Sequence, residues 1–217
     1  MDSEQDPSGT AARLRGASGR GAFSLVELLV VIAIVAILSG IAINGFNSIL
    51  NSSRMEQAGR TLIDEINLAR QSAAARNENI ELRFIRRGRE AGSDAGVYWQ
   101  LQAGTLTVSN SATNFAPLKA AASLPVGTVL ETNATLSPLL AAGVERSNAS
   151  PSYKFVALTV RPTGEIEPLN TPPINQLPAW CVTIVPQRQL GQPFSQINDF
   201  VTVQIDPLTT RPRFYRP

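Results

Sequence analysis

One long apolar run dominates the pattern of hydrophobic and polar positions along this chain. Residues 23–43 read FSLVELLVVIAIVAILSGIAI and carry a single charged side chain, that of Glu27. As a helix, this run spans about 31 Å, close to the roughly 30 Å hydrocarbon thickness of a bilayer. A cleaved secretory signal has a shorter apolar core that ends in a small-residue cleavage site, and this run has neither. The pattern therefore predicts a membrane helix that stays in the mature protein.

The helical period continues beyond the apolar run. Apolar residues recur at spacings of three, four or seven and define one stripe: Ile49, Met55, Leu62, Ile66, Ala69 and Ala73. Charged residues that we expect to be mostly solvent-facing lie between them: Arg54, Glu56, Arg60, Asp64, Glu65 and Arg70. We predict one helix over residues 23–76, ended by Asn77 and interrupted by kinks or local melting at Gly40 and Asn44-Gly45. Residues 44–79 form its amphipathic part.

From residue 80 onwards the pattern changes to the two-residue period of β-strands. Residues 80–84 alternate apolar and charged side chains, which predicts a half-buried strand, and residues 97–101 are expected to pair with it as a hairpin. The following segment, 109–150, predicts long loops with one short strand near 128–130. Further strands are expected at residues 154–160, 180–185, 200–205 and 213–215. The fold class is therefore α+β, with a long N-terminal helix, half membrane and half amphipathic, packed on the antiparallel β-sheet of a β-rich head formed by residues 80–217.

The amino-acid composition excludes the catalytic chemistry that depends on histidine. The 217 residues include no histidine and one cysteine, Cys181, so Ser-His-Asp and Cys-His catalysis, histidine-containing zinc sites and an intrachain disulfide are excluded. The adjacent carboxylates of Asp64 and Glu65 diverge by about 100° on a helix and make a poor catalytic pair. We expect no enzymatic activity, no cofactor and no metal, and we interpret Cys181 as a buried small hydrophobe.

Charge is balanced over the whole chain but not locally. The net charge is only +2, which does not indicate a protein coated in nucleic acid. Three arginines, Arg13, Arg15 and Arg20, precede the apolar run, and this bias predicts a cytoplasmic N-terminus with the rest of the chain translocated. Four more arginines are interpreted as a solvated hairpin tip, with a binding patch as the alternative: Arg83, Arg86, Arg87 and Arg89.

The junction between the leader and the apolar run resembles the type IV prepilin cleavage and methylation motif. The sequence GAFSLVEL at residues 21–28 has a basic leader before it, a Phe after the junction and a Glu five residues into the mature chain. The resemblance implies that residues 1–22 are a cytoplasmic leader removed by a prepilin peptidase, and that the new amine of Phe23 is methylated. The family usually has Gly before the cut, whereas here Ala22 follows Gly21, so cleavage after Gly21 is the alternative.

Glu27 is the second residue of interest in this motif. An unpaired carboxylate within a membrane helix costs roughly 2.5–3.5 kcal/mol on insertion scales. In the type IV pilin family its partner is the free N-terminal amine of a neighbouring subunit, so the resemblance implies an assembly charge pair between Glu27 and Phe23 of adjacent copies. The alternative is a plain signal anchor that tolerates a carboxylate near the membrane edge.

A second resemblance covers parts of the remaining chain. Residues 62–84, 158–164 and 211–217 are similar to the helix-to-strand passage, the Pro-x-Gly element and the Arg-rich end of the minor pseudopilin H and fimbrial T group. This resemblance implies a minor pilin or pseudopilin of a type II secretion or type IV pilus-like filament. The subunit would be held in the bacterial inner membrane with a periplasmic head. Its partners would be the prepilin peptidase, other pilin or pseudopilin subunits, a platform membrane protein and an assembly ATPase.

The C-terminal arginines leave a second hypothesis open. Arg211, Arg213 and Arg216 are interleaved with Phe214 and Tyr215, which offers phosphate contacts and stacking faces for DNA. A DNA-capturing minor pilin on the same scaffold is therefore the alternative function. A third possibility, a membrane-anchored enzyme, is disfavoured because histidines and paired carboxylates are absent from the sequence.

Overall fold

The computed structural model describes residues 24–88, 96–109, 112–149, 151–168 and 180–216, without the side chains of 41–48, 108–109, 112 and 167–168. The chain divides into two compact units, Met1–Phe46 and Asn47–Pro217. The backbone helix α1, Leu25–Arg76, extends through both. The second unit, which we call the head, contains the β-sheet and the part of α1 that packs on it.

Both ends of α1 have identifiable caps. At the start, the Ser24 hydroxyl oxygen accepts a hydrogen bond from the Glu27 backbone N–H at 3.3 Å, and this satisfies one of the unpaired donors of the first turn. At the other end, Asn77 has a φ of 53° and the Glu78 N–H donates to the Ala73 carbonyl at 3.3 Å. A left-handed residue directly after the last turn is a common way to end a helix, and Asn tolerates it better than most residues. The predicted end at Asn77 is confirmed.

The helix is continuous where the sequence predicted an interruption. Gly40 and Asn44-Gly45 all lie within Leu25–Arg76, so the expected local melting is wrong. Glycine costs about 1 kcal/mol relative to alanine in a helix interior, but helix propagation is cooperative, so the turns on both sides can carry the helix through this stretch. Isolated glycines are therefore accommodated.

In the first unit, α1 has apolar side chains on every side. The large hydrophobic residues from Leu25 to Leu38 are each 48–84% exposed. The predicted membrane helix at 23–43 includes Phe23 and side chains 41–43, which lie outside the described residues. Among the helical segments that the structure describes, none contains an 18-residue window apolar enough to qualify as a membrane span.

The described residues of the head form one sheet of eleven strands, and each pairing among them is antiparallel. The strands are β1 Ile80–Arg87, β2 Val97–Ser109, β3 Ala112–Pro117, β4 Ala122–Ser123, β5 Thr128–Leu130, β6 Arg146–Asn148, β7 Tyr153–Val160, β8 Ile166–Pro168, β9 Cys181–Pro186, β10 Val201–Ile205 and β11 Pro212–Tyr215. A short helix, α2, covers Pro138–Ala141, and 3-10 turns cover Gln187–Gln189 and Phe194–Gln196.

The strands pair in the order β11-β10-β9-β5-β2-β1-β7-β6, with β3 and β4 also pairing with β2 and β8 with β7. The predicted β1–β2 hairpin is confirmed, with Phe84 opposite Leu101. The predicted strands corresponding to β5, β7, β9, β10 and β11 are present as well. The interpretation of 109–150 as loops with one strand was wrong, because β3, β4, β6 and α2 also form there.

One face of the sheet packs against the helical stripe. Six residues of α1 are at most 1% exposed: Met55, Ala58, Leu62, Ile66, Ala69 and Ala73. They form one cluster with sheet residues that include Leu82, Phe84, Leu101 and Leu158. The predicted amphipathic packing is therefore confirmed, except at Ile49, which is 66% exposed because the helix joins this cluster only from Met55 onwards.

The opposite face of β1 is covered too, which the sequence did not indicate. Every residue from Ile80 to Ile85 is buried, including Glu81 and Arg83, so the expectation of a half-buried strand is wrong. Neighbouring side chains account for this, because the rings of Phe115 on β3 and Phe155 on β7 lie on either side of the Arg83 guanidinium. Strand β1 is a central strand between β2 and β7, with both of its faces covered.

Candidate processing and assembly site

The described part of the candidate processing site begins at Ser24. Gly21, Ala22 and Phe23 lie outside the described residues. Glu27 lies in the first turn of α1, where the positive end of the helix dipole favours a carboxylate. The side chain of Glu27 is exposed, and it forms no ion pair with any residue that the structure describes. Within the described segments, no cation neutralises this charge.

The C-terminal arginines do not form one common surface. Arg216 donates to the Ser52 hydroxyl at 2.9 Å and to the Asp199 carboxylate at 3.1 Å, so it ties the end of β11 to α1 and to the loop before β10. Arg211 and Arg213 are exposed. Since side chains alternate along a strand, Arg213 points to the face opposite Phe214, the residue that contacts α1. The structure therefore leaves two of the three arginines accessible for a phosphate contact.

Phe214 completes the attachment of the last strand to the helix. Its ring lies directly against Gly59 of α1, and a Cβ at that position would overlap the ring. Because glycine has no side chain, the helix and β11 approach each other closely here. The Gly59 contact and the Arg216 hydrogen bonds hold the C-terminus against the helix from two points.

A buried ionic cluster lies on the sheet face away from the helix, and sequence reasoning missed it. The Arg83 Nε donates to Glu81 Oε1 at 2.6 Å, and its Nη1 donates to the Tyr153 hydroxyl at 2.9 Å and to Asn148 Oδ1 at 3.3 Å. A second arginine, Arg146, reaches the other Glu81 oxygen at 3.4 Å. These contacts satisfy a buried carboxylate with two cations, so the cluster acts in stability.

The remaining hairpin arginines are also engaged. Arg86 donates to the Gly96 carbonyl at 2.8 Å and to Glu145 at 3.0 Å. Arg87 lies 5.3 Å from the centre of the Tyr153 ring, and Arg89 lies outside the described residues. The interpretation as a solvated tip is therefore wrong for Arg83, which is buried among aromatic rings.

Glu145 organises a polar group at the end of the sheet. It accepts hydrogen bonds from the Tyr98 hydroxyl at 2.8 Å and from Arg86, and it pairs with Lys154 at 3.3 Å. Partial burial raises the pKa of Glu145, but these three donors outweigh it and the net pKa is lowered. Burial, and then the Glu145 hydrogen bond, raise the pKa of Tyr98. The group is fully paired internally, which is typical of a structural role.

The single thiol and the Glu65 carboxylate were both placed incorrectly from the sequence. Cys181 is half-buried, not buried, and burial raises the pKa of its thiol, which favours the protonated form. Glu65 is 1% exposed and not solvent-facing, and it pairs with Lys119 at 2.5 Å. Among the described residues, no three His, Cys, Asp or Glu side chains come together as a metal site.

Comparison with known proteins gives one finding, and it concerns the N-terminal segment. Residues 18–43 match the family model of the prokaryotic N-terminal methylation motif. No curated protein and no solved structure matches the chain. The matched segment contains the predicted cleavage junction at Ala22 and Phe23 as well as Glu27. Together with a helix packed on an antiparallel sheet, this match supports a type IV pilin-like subunit whose membrane-anchored precursor is processed by a prepilin peptidase.

Proposed function

We propose that this chain is a minor pilin or pseudopilin subunit of a type II secretion or type IV pilus-like filament, and that it assembles through its N-terminal helix. The observation that carries the proposal is the methylation motif at residues 18–43, which places a Phe and a Glu four positions apart at the start of an apolar helix. The subunit supplies packing surface and register to the filament, and it catalyses no reaction.

In this proposal the precursor is anchored in the bacterial inner membrane before assembly. Residues 23–43 span the bilayer, the leader at 1–22 is cytoplasmic and the head is periplasmic, in keeping with the arginines that precede the apolar run. After cleavage, an assembly ATPase and a platform membrane protein extract the helix into the filament. The apolar side chains from Leu25 to Leu38, exposed in the single chain, would then pack against the equivalent helices of other subunits.

In this assembly, a charge pair formed by Glu27 sets the position of each subunit relative to its neighbour. Its carboxylate has no cationic partner among the residues described in this chain, and in the sequence it follows by four positions the residue whose amine cleavage before Phe23 would create. A neighbouring subunit at the matching height offers such an amine. Pairing the two charges removes the cost of an isolated carboxylate in an apolar surrounding.

Mass spectrometry of the protein from its native membrane tests the processing step. The mature chain is expected to begin at Phe23 and to carry one methyl group on its amine. A start at Ala22 would place the cut after Gly21, the alternative junction within the motif. A chain that retains Met1, or one cut beyond residue 40, would contradict the proposed function.

Changing Glu27 to Gln separates assembly from membrane insertion. The amide keeps the size of the side chain but removes the charge, so we expect the variant to insert and to be cleaved normally. Because the charge pair is lost, we expect it to enter filaments on the order of tenfold less well. The measurement compares cleavage, membrane level and co-purification with other pilin subunits.

A matched control for Glu27→Gln is Ser24→Ala in the same first turn. It removes the hydrogen bond to the Glu27 N–H while leaving the carboxylate, so it tests whether weakening the helix start is enough to prevent assembly. We expect the control to enter filaments at nearly the normal level. Normal incorporation of the Gln variant would refute the charge-pair role.

A further inference from the structure

Two clefts of opposite charge flank helix α1 within the head. The first, the basic cleft, has a volume of about 550 Å³ and lies between the helix and the ends of β5 and β9. Its lining includes Asn51, Arg54, Met55, Val126, Pro186 and Arg188. Arg54 and Arg188 are exposed and form no ion pair with any residue of the described segments. Val126, which also lines this cleft, is 77% exposed, so the cleft offers apolar area as well as these two cations.

The second, the acidic cleft, has a volume of about 370 Å³ and lies between the helix and β11. Glu56, Arg60, Ile63, Asp64 and Phe214 line it. Glu56 pairs with Arg60 at 2.7 Å, while Asp64 has no ion-pair partner in the part of the chain that the structure describes. The hydrogen bond from Arg60 lowers the pKa of Glu56, so this carboxylate is charged at neutral pH. The lining therefore carries two carboxylates and one guanidinium, together with the apolar side chains of Ile63 and Phe214.

The two clefts lie on opposite flanks of the helix. In the sheet order β11-β10-β9-β5, the acidic cleft is on the β11 side and the basic cleft is on the β5 side. Along the helix, Arg54 and Asp64 are ten residues apart, which corresponds to about 15 Å. Each copy therefore has both an acidic cleft and a basic cleft, and the two clefts face in different directions.

We propose that the acidic cleft of one copy of this chain docks against the basic cleft of a second copy. This deepens the proposed function and rests on it, because it names the head surfaces that meet when subunits assemble. Since the two surfaces differ and lie on opposite flanks, the contact is head-to-tail, and a docked pair keeps the basic cleft of one copy and the acidic cleft of the other unused. Such a contact repeats without closing into a two-fold pair, and parallel helices of neighbouring copies would be staggered by about 15 Å.

The charges fix which surfaces meet, and the apolar floors supply contact area. Arg54 and Arg188 would face Asp64 and Glu56 of the next copy, and Val126 would lie near Phe214 of that copy. Complementary charges select the register, because placing two basic or two acidic clefts together costs several kcal/mol.

Disulfide trapping tests this contact in the full chain within its native membranes. In a Cys181→Ala background, the pair Asp64→Cys and Arg188→Cys is introduced and the membranes are mildly oxidised. We expect a ladder of dimers, trimers and larger species. A single dimer band from either cysteine alone would instead indicate a two-fold contact and would overturn the proposal, as would a cross-link to a different protein that contains only one copy of this chain.

A matched cysteine pair controls for random collision. Glu78 is also exposed, near the other end of α1, so Glu78→Cys with Arg188→Cys presents equally accessible thiols at a position outside the acidic cleft. We expect at least about tenfold less multimer from this control pair. Equal ladders from both pairs would mean that collision alone explains the trapping, and the contact would be wrong.

Charge reversal provides an independent measurement on the full chain in detergent. Arg188→Glu places a carboxylate opposite Asp64 of the neighbour, and we expect the dissociation constant for self-association, measured by sedimentation, to rise at least about tenfold. Adding Asp64→Arg to the same chain recreates opposite charges across the contact and is expected to restore association. Unchanged association in the single variant, or no recovery in the double variant, would overturn the proposal.

The proposed function and the proposed contact between copies can be refuted independently of each other. Cleavage at Phe23 without any ladder from the cysteine pair would leave the proposed function standing and would remove this contact. A ladder formed by a chain that is never cleaved would support the contact and contradict the pilin-like function.

Discussion

Replacing Leu62 and Ile66 together with aspartate is expected to unfold the head. Both side chains are completely buried in the cluster between α1 and the sheet. Removing a large aliphatic side chain from a core costs about 2–5 kcal/mol at each site, and burying an unpaired carboxylate adds a further penalty. The combined cost reaches the roughly 5–15 kcal/mol by which typical domains are stable. Limited proteolysis and near-ultraviolet circular dichroism of the full chain in detergent measure the result.

The matched control places the same two charges on the outer side of the same helix. Gln57 and Gln71 are both exposed, so the double variant Gln57→Asp with Gln71→Asp is expected to resist proteolysis as well as the parent protein. If the Leu62 and Ile66 variant also resisted proteolysis like the parent, the helix would not pack on the sheet as the structure has it.

Changing Arg83 to Met is expected to destabilise the head by about 3–5 kcal/mol, the usual cost of removing one partner from a buried ion pair. The Glu81 side chain is 0% exposed, and without Arg83 it keeps only the 3.4 Å contact with Arg146. The loss also removes the guanidinium from between two rings, at 3.7 Å from the centre of Phe115 and 4.0 Å from that of Phe155. The urea midpoint of the near-ultraviolet signal measures the change.

Two controls separate the buried charge from the loss of an arginine in general. Arg60→Met removes the arginine of an exposed ion pair with Glu56, and we expect no measurable change in the urea midpoint. The double variant Glu81→Gln with Arg83→Met removes both buried charges and should recover part of the stability lost in the single variant. A single Arg83 variant as stable as the parent would contradict the ionic role of this cluster.

The sequence predicted the elements whose signals are local. A helical stripe repeats every three or four residues, and the strands that pair as the β1–β2 hairpin adjoin in sequence, so both could be recognised without knowing the rest of the fold. The short strands β3, β4, β6 and β8 have two to six residues each, and their pairing with β2 or β7 gives them their extended form. Because their stabilising partners are elsewhere in the chain, their own residues gave no clear signal.

The candidate site residues also divide into those with a local sequence signal and those whose contacts depend on distant parts of the chain. The spacing of Phe23 and Glu27 follows from a contiguous motif, so it could be recognised from the sequence and was matched by a family model at residues 18–43. The roles of the C-terminal arginines could not be separated in this way. Arg216 bonds to Ser52, 164 positions earlier, while Arg211 and Arg213 remain exposed.

The sequence by itself determined the order of the parts: an apolar helix with one carboxylate, its amphipathic continuation and a β-rich head. Only the tertiary structure decided which charged residues are buried. Glu81 and Arg83 look solvent-facing in an alternating strand, yet both are enclosed because Arg146 and Phe155, more than 60 residues away, meet them across the sheet. A strand's period specifies which side chains share a face, whereas burial of that face depends on what the rest of the chain brings against it.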